Sequence, residues 1–147
     1  MKKLSFFHIP IAYLLLYTVL LLGSGLWLFL LSQGLASSEG IAATLEKIIL
    51  TPEPKSMHNF VEVATPHMFA MGSLVFVMAH FMLFSTKISQ KISLIVSMIL
   101  FVFFLFNIFS YGLISFEILS SGWIKLLSML LFTGVFLLLL FMVGVSL

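Results

Sequence analysis

The sequence predicts an all-α integral membrane protein, a four-helix up-down-up-down bundle with short amphipathic helices in its outer loop. Three observations carry that prediction. Four long apolar runs fill the chain: Phe6 to Leu31, Met68 to Phe84, Ile92 to Ile114 and Ile124 to Val145. Each approaches or exceeds the ~20 apolar residues needed to cross a bilayer core of about 30 Å. The composition is 62% hydrophobic and only 8% charged, where soluble domains carry about 25% charged residues. Lipid offers no hydrogen-bond partners, so each run must close its backbone bonds internally, as a helix.

One transmembrane domain, residues 1–147, accounts for the whole chain, with helices at about 6–32, 66–86, 92–114 and 123–145 and an outer loop at 33–65. The net charge of +2 comes from lysine and glutamate alone. These few lysines belong at a membrane surface, and nothing in the chain suggests nucleic acid. With no cysteine, disulfides, thiolate-held iron–sulfur clusters and C-x-x-C-H haem attachment are excluded within the chain. Any metal or cofactor must be held by His, Met, Glu or backbone.

The elements follow in order. Met1-Lys2-Lys3 before an apolar run imitates a signal peptide, and Gly34-Leu35-Ala36 before Ser37 imitates a cleavage site. A signal core spans roughly 7–15 residues, far shorter than this run, so the first helix is expected to be retained. Lys2 and Lys3 precede it, and Lys87 and Lys91 separate the second and third helices. The lysine bias of cytoplasmic loops then puts both termini in the cytoplasm of a bacterial inner membrane.

In the outer loop, Ile41, Leu45, Ile48 and Ile49 recur at helical spacing after Ser37 and Ser38, opposite Glu46 and Lys47. That pattern predicts a short helix in the headgroup plane or capping the bundle. Thr51-Pro52-Glu53-Pro54 should end it, because proline disfavours helix at the preceding residue. Ser56 can cap a second short helix through Val63, and Thr65-Pro66 supplies an N-cap and first-turn proline for the second membrane helix. That helix mixes Gly72 and Ala79, seven apart on one face, with four methionines. Small residues there suit close packing of a neighbour or a flat ligand. The third helix is rich in phenylalanine, with one mid-membrane amide, Asn107, expected to bond across the bundle. The fourth is apolar beyond Leu126. Trp27 and Trp123 fall where interfacial aromatics sit.

The four histidines lie near the ends of the first two membrane helices. His8 lies five residues beyond Lys3 and His80 seven before Lys87, so both sit about 7–11 Å from the inner charge belt. Two neutral imidazoles at matched depth are a common way to hold a b-type haem. Phe6, Phe7, Phe76 and Phe84 would wall a porphyrin equally well. At the other face, His58 and Glu62 are i, i+4, and His67 follows five residues later. These three suit a divalent metal, or His58 and His67 a second haem, but they also suit a hydrated interfacial cluster. His67 and His80 are 13 apart, a rise of about 20 Å with about 140° of rotation. One straight helix cannot aim both at the same neighbour.

The stretch Glu62-Val-Ala-Thr-Pro-His67-Met-Phe-Ala-Met, followed by Ala79-His80-Phe, resembles the second helix of small bacterial four-helix membrane b-type cytochromes. Phe7-His8-Ile9-Pro10 is similar to their first ligand helix. The resemblance covers about the N-terminal 60% of the chain and implies axial ligation by His8, His67 and His80. Unlike the usual di-haem pattern, the third and fourth helices lack histidine, and no arginine is present to pair with propionates. Lys2, Lys3, Lys87 and Lys91 would have to serve them.

The leading expectation is therefore a membrane-bound b-type cytochrome or cytochrome-like electron-transfer subunit with one haem b, or two. It would work between a quinone pool and a periplasmic or membrane redox partner. The alternatives are a copper, zinc or iron protein built on His58, Glu62 and His67, and a cofactor-free structural subunit or assembly factor. No Ser/His/Asp order, phosphate loop or paired intramembrane carboxylate supports catalysis by this chain alone.

Overall fold

The computed structural model describes residues 8–31, 35, 40–52, 56–85 and 87–146. Lys2, Lys3, Phe6, Phe7, Gly34, Ala36, Ser37, Ser38, Glu53 and Pro54 lie outside them. Five helices follow in order: α1 (His8–Leu30), α2 (Gly40–Leu50), α3 (Met57–Leu83), α4 (Gln90–Ser115) and α5 (Trp123–Ser146). Four of them, all but α2, are long and apolar enough to cross a membrane. The chain is an all-α membrane helical bundle.

Contacts at the two ends fix the up-down-up-down order. At one end His8 of α1 shares a small cavity with Phe81, Phe84 and Ser85 at the end of α3 and with Ser146 of α5. At the other end Phe60 of α3 packs beside Tyr111 of α4, ring centroids 6.1 Å apart. There too the turn between α4 and α5 meets α2. Successive membrane helices are therefore antiparallel, as short connections favour.

The core is a three-helix seam. Val75, Met78 and Met82 of α3, Leu100 and Phe104 of α4, and Phe132, Phe136, Leu139 and Val143 of α5 are all buried. Their three- and four-residue steps are the knobs-into-holes spacing of near-parallel packing. Ser93, Ser97, Ser110 and Ser128 continue the seams as buried small residues, which let backbones approach where lipid supplies no hydrophobic drive. The space opposite Gly72 is filled by the Phe104 ring, 3.5 Å from where a Cβ would sit. The small face of α3 thus serves packing there. α1 is peripheral: its seam is with α5, whereas α3 packs on α4 and α5.

One sequence expectation needs correction. The helix expected to start at Thr65-Pro66 begins nine residues earlier, because α3 runs unbroken from Met57 through Pro66 to Leu83. Ser56 does cap it, its hydroxyl accepting from the Asn59 N–H at 3.3 Å. Pro66 removes one backbone donor, but that loss is local. Ending the helix at the membrane edge would orphan several more backbone groups there. The short helix expected in the outer loop is α2: Ile48 is buried beside Thr44 at the contact with the α4–α5 turn, Leu45 and Ile49 are half-buried, Glu46 and Lys47 are exposed, and Ile41 alone of the apolar stripe is exposed.

That contact is specific. Ser121 Oγ and the Gly122 N–H both donate to the Ile49 carbonyl, at 3.2 and 3.1 Å, satisfying an acceptor that the end of α2 would otherwise leave open. At the opposite end, Lys87 Nζ donates to the Val145 carbonyl at 2.7 Å, and Ser85 and Ser146 share a 2.7 Å hydrogen bond. A cation at a helix C-terminus also complements the dipole. Lys87, one of the expected propionate partners, is thus held at the end of α5. Lys87→Met is expected to lower stability by about 0.5–1 kcal/mol, read as a small drop in detergent melting temperature.

Candidate functional site

All four histidines are exposed on the surface of the bundle. Each of the two deeper ones on α3 is tied to its own helix. His80 Nδ1–H donates to the Phe76 carbonyl at 3.0 Å, and the His80 ring lies against Phe76 with centroids 4.1 Å apart. His67 Nδ1–H donates to the Val63 carbonyl at 3.2 Å. A carbonyl only accepts, so Nδ1 carries the proton in both rings when neutral and Nε2 keeps its lone pair. Metal-binding imidazoles are commonly oriented in this way.

His8 stands at the same end of the bundle as the last turn of α3. The cavity it lines includes Phe81, Phe84 and Ser85, but not His80. The described structure brings His8 to α3 without seating both imidazoles in one cavity.

The proposed outer group is rearranged by the continuity of α3. His58 and Glu62 remain one turn apart on a single helix. His58 and His67 are nine residues apart on that same helix, about 14 Å in rise and about 180° in rotation. They therefore point to opposite sides. Among the described residues, no three His, Asp or Glu side chains converge as a metal site.

A polar centre that the sequence reading passed over lies between α4 and α5. Lys125 Nζ donates to both the backbone carbonyl and the Oδ1 of Asn107, each at 2.8 Å. Ser128 Oγ lies 3.4 Å from the same Oδ1. Ser110 and Ser128 are joined at 2.9 Å and are both fully buried, and the Tyr111 ring centroid is 5.9 Å from the ammonium. Asn107 does bond across the bundle, as expected. Its partner, Lys125, lies in the first turn of α5. A helical Cβ leans toward the N-terminus, which would carry this lysine to the water at the α2 end. Instead it reaches along α5 toward mid-membrane. The available signal was the pairing of the lone amide of α4 with a cation at the start of α5. Ionisable side chains at such depth are functional candidates by default.

The family model of a transmembrane helical domain, Aq_1264_TM, matches residues 36–147. That span takes in α2 to α5, including His58, His67, His80, Asn107 and Lys125, and leaves α1 with His8 outside. No curated protein and no solved structure matches the chain.

Proposed function

The chain belongs to the Aq_1264_TM family of transmembrane helical domains, and we propose, from its histidines, that it is a membrane-bound b-type cytochrome-like electron-transfer subunit. It would pass electrons between a quinone pool and a partner protein in a bacterial inner membrane. The lysines at 87 and 91 support cytoplasmic termini. The observation that carries the reading is the state of the α3 imidazoles, whose Nδ1–H groups are bonded to backbone carbonyls while Nε2 is left to act as a donor atom.

As donors the residues present fit a haem: neutral imidazoles at membrane depth, one on each of two antiparallel helices. α1 has its seam with α5 and not with α3, so a group held by His8 and His80 would lie on the flank of the bundle. His67 would serve a second one. A haem there would supply reversible one-electron transfer, tuned by its axial imidazoles and by burial. The chain's own part is to orient the rings through Phe76 O and Val63 O and to exclude water with the Phe76, Phe81 and Phe84 side chains.

A second reading, a cofactor-free structural subunit, is favoured by a different observation. The interior is already filled by side chains, with Val75, Met78, Leu100, Phe136 and Leu139 fully buried. Divalent-metal binding by His58, Glu62 and His67 is weakened by their placement around one helix. An optical spectrum and metal analysis of one detergent preparation separate the readings. The expected result is a Soret band that His80→Ala abolishes or shifts, with His67→Ala removing at most a distinct second component. A colourless, iron-free protein would leave the structural reading standing and remove electron transfer.

A further inference from the structure

The Asn107–Lys125 centre contains a donor left without a protein partner. The Lys125 ammonium has only donors, so the Asn107 atom facing it must be Oδ1, and the orientation of the amide is fixed without ambiguity. Lys125 Nζ at 2.8 Å and Ser128 Oγ at 3.4 Å both lie on that oxygen. The Nδ2 group, with two N–H donors, is therefore directed away from both. Among the described residues it donates no hydrogen bond. Asn107 is half-buried, and its amide nitrogen is not sealed within the protein.

Depth decides what can satisfy it. Asn107 lies eight residues before the end of α4, about 12 Å below the rim that carries α2. Trp123, two residues before Lys125, marks the interfacial level at that rim. Water and phosphate headgroups belong at the rim and not at the amide. An unsatisfied amide donor in hydrocarbon costs free energy comparable to a lost hydrogen bond or more. A fitting acceptor is a carbonyl oxygen on an apolar molecule that enters from the bilayer. Lipid ester carbonyls lie near the interfacial tryptophans, well above Asn107, so a freely diffusing ring carbonyl suits this depth better. The neighbouring groups suit such a ring. Tyr111 and Phe60 present aromatic surface, and the Lys125 ammonium stands beside the amide to favour electron density on a carbonyl oxygen.

We propose that Asn107 and Lys125 form a binding site for a quinone-type headgroup, with Asn107 Nδ2 donating to one ring carbonyl and Lys125 providing the adjacent positive charge. The site lies about 12 Å below the α2 rim, in the half of the bundle opposite His8, and does not depend on haem being bound at the histidines. Failure of the haem reading would leave it intact.

The test is a titration of the purified full-length chain, in detergent, with decylubiquinone, followed by tryptophan fluorescence. The informative variant is Asn107→Asp, which keeps oxygen acceptors for Lys125 and Ser128 but deletes both N–H donors. The wild type is expected to show saturable quenching, and the Asp variant, with an unchanged or raised melting temperature, at least tenfold weaker binding. Should the Asp variant not fold, Asn107→Leu combined with Lys125→Met replaces the centre with apolar side chains and is expected to lose saturable binding. Non-saturable quenching of the wild type, or equal affinity in the folded variant, overturns the proposal. Displacement of decylubiquinone by a short-chain phosphatidylcholine, with the same sensitivity to Asn107→Asp, assigns the acceptor to a lipid ester and overturns the quinone assignment.

Discussion

Gly122→Ala is expected to unseat α2 and to cost about 1–3 kcal/mol, the usual range for forcing atoms into an already packed contact. A Cβ at Gly122 would overlap the Ile48 carbonyl oxygen, with the Ile48 carbonyl carbon 2.9 Å away. These are backbone atoms, so no side chain can rotate to make room. The same substitution pushes away the Gly122 N–H bond to Ile49 at 3.1 Å and the Ser121 bond to the same carbonyl. Both bonds belong to the seat of α2 on the α4–α5 turn and neither to the core of the membrane helices, so the loss should be local. The measurement is limited proteolysis across residues 40–52 together with the melting temperature. Faster cleavage in α2 with the membrane core still folded is the expected outcome. Unchanged cleavage would show that α2 is not held by the α4–α5 turn.

Asn107→Leu is expected to release Lys125. The substitution removes the Oδ1 acceptor at 2.8 Å and the Ser128 contact at 3.4 Å, while the backbone carbonyl partner at 2.8 Å remains. Hydrogen bonds to a charged group contribute about 1.5–3 kcal/mol each. The ammonium is not trapped, however. Its stem is long enough to turn toward the α2 rim and reach water, so the net loss should stay near about 2 kcal/mol. Two readouts follow. Thermal stability falls, and Lys125 becomes reactive toward an amine reagent added from the water. Adding Lys125→Met to Asn107→Leu should recover part of the stability, because replacing both partners is less costly than stranding one. A coupling energy of about 0.5–3 kcal/mol in the double-mutant cycle is expected for groups in direct contact. Additive effects would show that the two side chains do not depend on one another.

The sequence by itself determined the number and type of the membrane helices. Run length and apolar content are local quantities, and hydrocarbon permits only a helix for such runs. It also determined the Ser56 cap, because an N-cap acts within three residues. The outcome at Pro66 was decided by the folded helix, since the cost of one missing donor had to be weighed against the cost of several orphaned groups at a membrane edge. In the same way, the spacing of His58, Glu62 and His67 was legible, but whether they converge depended on whether one helix or two carried them. One helix carries them, and its 100° step turns His58 and His67 apart.

Only the tertiary structure decided the partner of Lys125. From sequence it is a lysine two residues beyond the interfacial Trp123, and its preferred direction is outward to water. The inward course exists because Asn107 of the adjacent antiparallel α4 lies within reach, a coincidence of level and rotation between residues 18 apart in the chain. Hydropathy patterns carry the one-dimensional restriction imposed by the bilayer. The pairing of polar side chains inside it depends on how the helices are rotated against one another, and packing at Val75, Leu100, Phe104 and Phe136 sets that rotation.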